Sequence, residues 1–156
     1  MIEPLMRTLH CSCEQAFDIA ADIERYPEFL RGWMSAKITK RDLNVCYVEQ
    51  EVGFGPVRLQ FASIAVLQRP ARIDVTSTEP PFRRFNLSLA FVAIPSGGCQ
   101  IRVAASVELQ SGFLQLAVNP FLAAAVEDMV VAFEARALTL YAPLDTSRKP
   151  PGPQAA

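Results

Sequence analysis

Histidine is nearly missing from this chain: of 156 residues, only His10 is one. Metal centres built on histidine clusters are thereby excluded. Four cysteines, Cys11, Cys13, Cys46 and Cys99, form no CxxC pair. The thiols of "CSC" at 11–13 share one side of a strand, but without a second pair they do not make a zinc site. A chain of this length suits one domain, buries roughly two-thirds of its unfolded surface and needs no disulfide staples. The thiols therefore read as reduced and the compartment as cytoplasmic. Excess positive charge is also lacking: 15 lysines and arginines stand against 16 aspartates and glutamates, which argues against a dedicated DNA-binding role. The Walker loop, the GxSxG elbow and the HExxH helix are absent, and "GFG" at 53–55 precedes a strand pattern, so it is a turn and no nucleotide loop. No catalytic residue and no metal ligand is assigned. The start, "MIEPLMRTLHC", lacks the apolar core of a signal peptide.

What is present is periodicity. Residues 4–10 alternate weakly as a first strand. Ser12 or Cys13 then opens a helical pattern, with Phe17, Ala20 and Ala21 on one face, and "ERYPEFLRGW" predicts a short second helix. From Lys37 the period becomes two, and five or six strands are expected, separated by "GFGP", "RPAR", "EPP" and "PSGG". In "CQIRVAASVEL", Ile101, Val103, Ala105, Val107 and Leu109 share an apolar face. The same alternation groups Val57, Leu59 and Phe61, then Ile73, Val75 and Ser77, then Phe85, Leu87, Leu89 and Phe91. An antiparallel sheet with one apolar face needs a cover, and the only element long and apolar enough is the helix expected over Asn119–Tyr141. The fold class is α+β: a curved sheet wrapped around a long C-terminal helix, a helix-grip arrangement, over residues 1–142. Residues 143–156, rich in proline, are expected to be a disordered tail.

Phe121 to Tyr141 would reach about 31 Å, enough to cross a bilayer. Glu127, Asp128, Glu134 and Arg136 would cost on the order of 10 kcal/mol near mid-bilayer against about 4 from the apolar side chains, so a lid is expected. Val118, Leu122, Ala125, Val126, Met129, Val130, Ala132, Phe133, Ala137 and Leu140 form its core-facing arc. Arg136 falls inside that arc. Either its stem covers apolar surface while its head pairs with a carboxylate, or its guanidinium enters a cavity and meets a ligand head group. The alanines of the helix either leave room beneath it or are filled from the sheet by Phe17, Phe61, Phe85 and Phe91.

"AFDIAADIERYPEFLRGWMSAKI", "VGFGPVRLQFAS", "PPFRRFNLSLAF" and "FEARALTLY" resemble, in order and spacing, the START-like polyketide cyclase and lipid transport (SRPBCC) superfamily. The likeness is greatest to the coenzyme Q-binding proteins and the related ribosome-association toxins. The marks include Phe17, Tyr26, Trp33, Phe54, Phe61, Ser63, Phe82, Phe133 and Arg136. The family pattern usually has proline where Gly32 stands and tryptophan where Leu89 stands. The resemblance implies a helix-grip domain that holds ubiquinone, or a similar isoprenoid lipid, between sheet and helix without catalysing a reaction. The quinone is then a ligand and no cofactor is expected. Candidate cavity residues are Phe17, Trp33, Phe54, Phe61, Phe82, Leu89, Phe91, Met129, Phe133 and Arg136. Arg31, Trp33, Phe82, Arg83 and Arg84 are the candidates for a peripheral contact at the inner face of a bacterial membrane, where arginines and aromatics suit the head-group layer. Two alternatives stand: a factor that associates with the ribosome, and a cyclase or aromatase drawing on Arg136, Tyr47 and Ser63.

Overall fold

The computed structural model describes residues 2–141; the tail expected over 143–156 lies outside the described residues. Strand β1 (Ile2–Leu9) leads into α1 (Cys13–Ala21). Ser12 caps α1 with a reciprocal box, accepting from the Gln15 amide at 3.0 Å while its own amide donates to the Gln15 side chain at 3.0 Å. A 3-10 turn (Ile23–Arg25) and α2 (Tyr26–Phe29), with Pro27 in the first turn where its missing N–H does no harm, complete the two short helices. Six strands follow: β2 (Trp33–Asp42), β3 (Val45–Phe54), β4 (Val57–Gln68), β5 (Arg72–Ser77), β6 (Phe82–Ala93) and β7 (Cys99–Leu109).

All pairings are antiparallel, in the order β1-β7-β6-β5-β4-β3-β2. Register shifts in the β1–β7, β2–β3 and β6–β7 ladders add local bend, which helps the sheet to curl. The alternation read from the sequence is the alternation found: Ile101, Val103, Ala105, Val107 and Leu109 are all buried. The four turn segments connect β3–β4, β4–β5, β5–β6 and β6–β7.

Helix α3 (Gly112–Tyr141) lies across the concave face and starts seven residues before the segment expected from the sequence. Pro120 hides that start, because a proline inside a helical pattern reads as a break. The extra turns are anchored by Ser111, whose hydroxyl accepts the Leu114 amide at 3.1 Å. Gln115 adds two bonds to the end of β7, accepting from Leu109 N at 2.7 Å and donating to Val107 O at 3.3 Å. Val118, Leu122, Val126, Met129, Val130, Phe133 and Ala137 are buried as the wheel predicts. Leu140 is not: Leu138, Thr139 and Leu140 are all exposed, while Tyr141 in the same last turn packs against the core.

Candidate functional site

The concave face is apolar by register. Along β3 the inward residues are Cys46, Val48, Gln50, Val52 and Phe54, and along β4 they are Leu59, Phe61, Ser63 and Ala65. Between this face and α3 lies a cavity of about 40 Å³. Arg31, Trp33, Val52, Gly53 and Phe54 line it on one side, and Phe85, Leu87, Ala105 and Val107 on the other. Ile2 and, from α3, Leu122, Ala125, Val126 and Met129 complete it. Ligand pockets commonly hold about 300–1,000 Å³, so little empty space is left in this interior.

The mouth lies where β2 starts and β3 turns into β4. Gly32 has φ +96° and its carbonyl accepts the Gly53 amide at 2.8 Å. A proline cannot adopt that φ, which gives the departure from the family pattern at position 32 a physical reason. Across the mouth, the Phe121 ring of α3 lies against Gly55, at φ +63°, so closely that a Cβ at Gly55 would overlap the ring. Arg31 is exposed at the rim and has no ion-pair partner among the described residues.

Deeper in, a smaller void of about 10 Å³ is shared by Tyr26, Trp33, Gln50, Ser63, Val75, Phe85 and Leu87, with Ile23, Val48 and Ala65 behind them. Here the interior carries a polar chain. The Trp33 indole N–H donates to Gln50 Oε1 at 3.3 Å, and Gln50 Nε2 donates to Ser63 Oγ at 3.0 Å. Tyr26 donates its hydroxyl to the Ala20 carbonyl. Burial, and to a lesser degree the Asp22 carboxylate, push the Tyr26 phenol well above its ordinary range.

Of the residues expected to line a cavity, Trp33, Phe54 and Met129 do so together. The others fill space. Phe61 meets Phe82 at 4.6 Å and Phe85 at 5.3 Å, Phe17 meets Phe91 at 5.8 Å, and Phe133 meets Phe29 at 5.6 Å and Tyr26 at 6.3 Å. Leu89, at the usual tryptophan position, is fully buried. Arg136 does not line the cavity: it pairs with Glu28 at 3.2 Å and stacks over Phe29 at 4.9 Å, so its first reading, stem on apolar surface and head on a carboxylate, is the observed one. Phe82 has no exposed surface and cannot touch a membrane, whereas Arg31, Arg83 and Arg84 are exposed. Tyr47 points to the convex side beneath the Lys40 ammonium. Gln50 was not among the expected residues, although a polar residue in register with Cys46, Val48, Val52 and Phe54 is a visible signal.

The cysteines form a local cluster. Cys13 Sγ approaches Cys99 Sγ at 3.0 Å, with Cys11 nearby. Burial first, then the neighbouring sulfurs, raise the Cys99 and Cys11 thiols above their ordinary range, so both stay protonated and poorly nucleophilic.

A sequence profile described as polyketide cyclase/dehydrase and lipid transport matches residues 9–134. The chain belongs to that family. A polyketide cyclase and lipid transport domain is thus what the curled sheet and long helix build, and its START-like fold recurs in solved structures. One from Thermus thermophilus superposes with a TM-score of 0.78 at 17% identity, covering 88% of this chain and 97% of that one. A START superfamily protein from Mycobacterium smegmatis gives 0.72 at 17% identity, with the same coverage of 88% and 97%. In sequence, the ribosome association toxin RatA of Pseudomonas aeruginosa is 26% identical over 125 residues, 80% of this chain and 87% of that protein.

Proposed function

We propose that this family member is a non-enzymatic carrier of an isoprenoid lipid, with ubiquinone the best-fitting ligand, working from the cytoplasmic side of a membrane. The observation that carries this reading is the composition of the enclosed face: apolar on sheet and helix, with one short polar chain, Trp33–Gln50–Ser63, inside it. An apolar tail gains about 25 cal/mol for each Å² it buries there, and the few polar atoms orient one end. Because the volume is small, loading on this reading moves α3 away from the β3–β4 turn, where Phe121 rests on Gly55.

The membrane-facing surface we assign is the mouth. Phe113 and Leu116 are 80% and 73% exposed at the start of α3, and Phe121 and Met34 are also exposed. The pairings Trp33↔Val52, Gly53↔Arg58 and Phe82↔Leu109 bring Arg31, Arg58 and Arg83 to this same end. Apolar side chains ringed by arginines suit a head-group layer.

The deciding experiment is organic extraction of the purified protein with mass spectrometry of the extract, followed by titration with a short-chain quinone. Absence of both a co-purified lipid and quinone binding would refute the reading. A second reading, association with the ribosome, is favoured by the resemblance to RatA across most of both chains. Co-migration with ribosomal subunits in a sucrose gradient would support it, and a protein found only at the top of the gradient would remove it.

A further inference from the structure

We infer that the Gln50–Ser63 pair is a carbonyl-recognition site, which takes the oxygen of a quinone or ketone carried by an apolar ligand. The inference rests on the carrier reading and adds which ligand atom is recognised. Its basis is the direction of the hydrogen bonds. An indole N–H can only donate, so Gln50 must turn its oxygen toward Trp33 and its NH2 group toward Ser63. Ser63 Oγ then accepts, and its own hydrogen must point elsewhere. Each buried side-chain nitrogen and oxygen among the described residues has a partner, so neither group is orphaned, but the Ser63 hydroxyl hydrogen and the second hydrogen on Gln50 Nε2 are left over once that bond is made.

Both side chains are deep in the core, 7% and 4% exposed, and both border the 10 Å³ void. Ser77, the other buried polar residue among those described, instead donates to the Ala62 carbonyl at 2.6 Å. Trp33, Phe85 and Leu87 line both this void and the larger cavity, so a ligand entering at the mouth reaches the pair along a shared apolar wall. A carbonyl oxygen has two lone pairs and no hydrogen, which complements two donor groups bordering one void. A hydroxyl would bring a further donor to the same place, and a carboxylate would bring a charge into an apolar wall.

Trp33 is the single tryptophan, so its fluorescence reports binding directly. The full-length protein would be titrated with decylubiquinone, a long-chain methyl ketone and decylbenzene, as wild type, Ser63→Ala and Ser63→Thr, with thermal melts verifying folding. The expected result is that Ser63→Ala weakens one or both carbonyl ligands about tenfold, the loss of one neutral hydrogen bond, with decylbenzene unchanged and Ser63→Thr restoring affinity. Whichever carbonyl ligand responds identifies the source. If Ser63→Ala weakens all three alike, or none, the pair only steadies Trp33 and the inference fails while the carrier reading stands. If wild type binds none of the three, both fail.

Discussion

Tyr26 shows how one side chain ties the short helices to the core. Its ring meets Phe29, Trp33 and Phe133 edge-on, and its hydroxyl is spent on Ala20. Its pKa is raised above the ordinary 10.0, so the folded state keeps a proton that the unfolded state gives up. The stabilisation is therefore complete below pH ~10 and is lost as pH rises from there toward the folded pKa. Urea midpoints should fall above pH ~10 in the wild type, and Tyr26→Phe should reduce that fall after an initial loss of about 1 kcal/mol for the hydrogen bond. Arg136 makes the opposite point. Its partner Glu28 is half exposed, so Glu28→Gln should lower stability by no more than about 1 kcal/mol. In a quinone titration, Arg136→Met should leave affinity unchanged; a lost affinity would restore the guanidinium to the ligand site. On the helical wheel Arg136 stands out among apolar neighbours, but its partner lies 108 residues away, and no local pattern connects the two.

Helix α3 meets the β3–β4 hairpin closely where Phe121 lies on Gly55. Gly55→Ala suffers twice, from a positive φ that disfavours a Cβ and from collision with the ring. It should destabilise the protein by about 2–4 kcal/mol in urea denaturation. In a Phe121→Ala background only the backbone part, about 1–2 kcal/mol, should remain. If the two changes simply add, the contact carries no coupling. In the presence of quinone, Phe121→Ala should also load faster in stopped-flow, because the helix no longer rests on the hairpin. The strands and the lid role of α3 were legible because alternation and helical arcs are local patterns. The start of α3 was not, since Pro120 signals a break that Ser111 and Gln115 overcome by anchoring the preceding turns to β7.

Across the molecule, exposed apolar side chains such as Met6, Leu43, Leu138 and Leu140 stand apart from one another, whereas Phe113, Leu116, Phe121 and Met34 gather at the mouth end. The most apolar 18 residues of α3 are only 33% buried, so much of the helix's oily character remains outside the core. Vesicle flotation should recover the wild type with anionic vesicles more than with neutral ones, since Arg31, Arg58 and Arg83 supply the charge. Phe113→Ser with Leu116→Ser should abolish recovery from both while leaving the thermal melt nearly unchanged, as both side chains are exposed. Recovery equal to wild type would remove the mouth as the membrane surface.

Alternation with period two, turn residues at four places and one long apolar helix were enough to specify a lidded antiparallel sheet, because these signals act between residues near one another in the chain. The shape of the interior was beyond them. Whether Phe61 and Phe82 line a cavity or fill it depends on a cross-sheet meeting at 4.6 Å, and the chain from Trp33 through Gln50 to Ser63 depends on the registers of two ladders. Voids and hydrogen-bond directions are set by side chains that arrive from separate strands, so they exist only once the sheet has curled and α3 has closed over it.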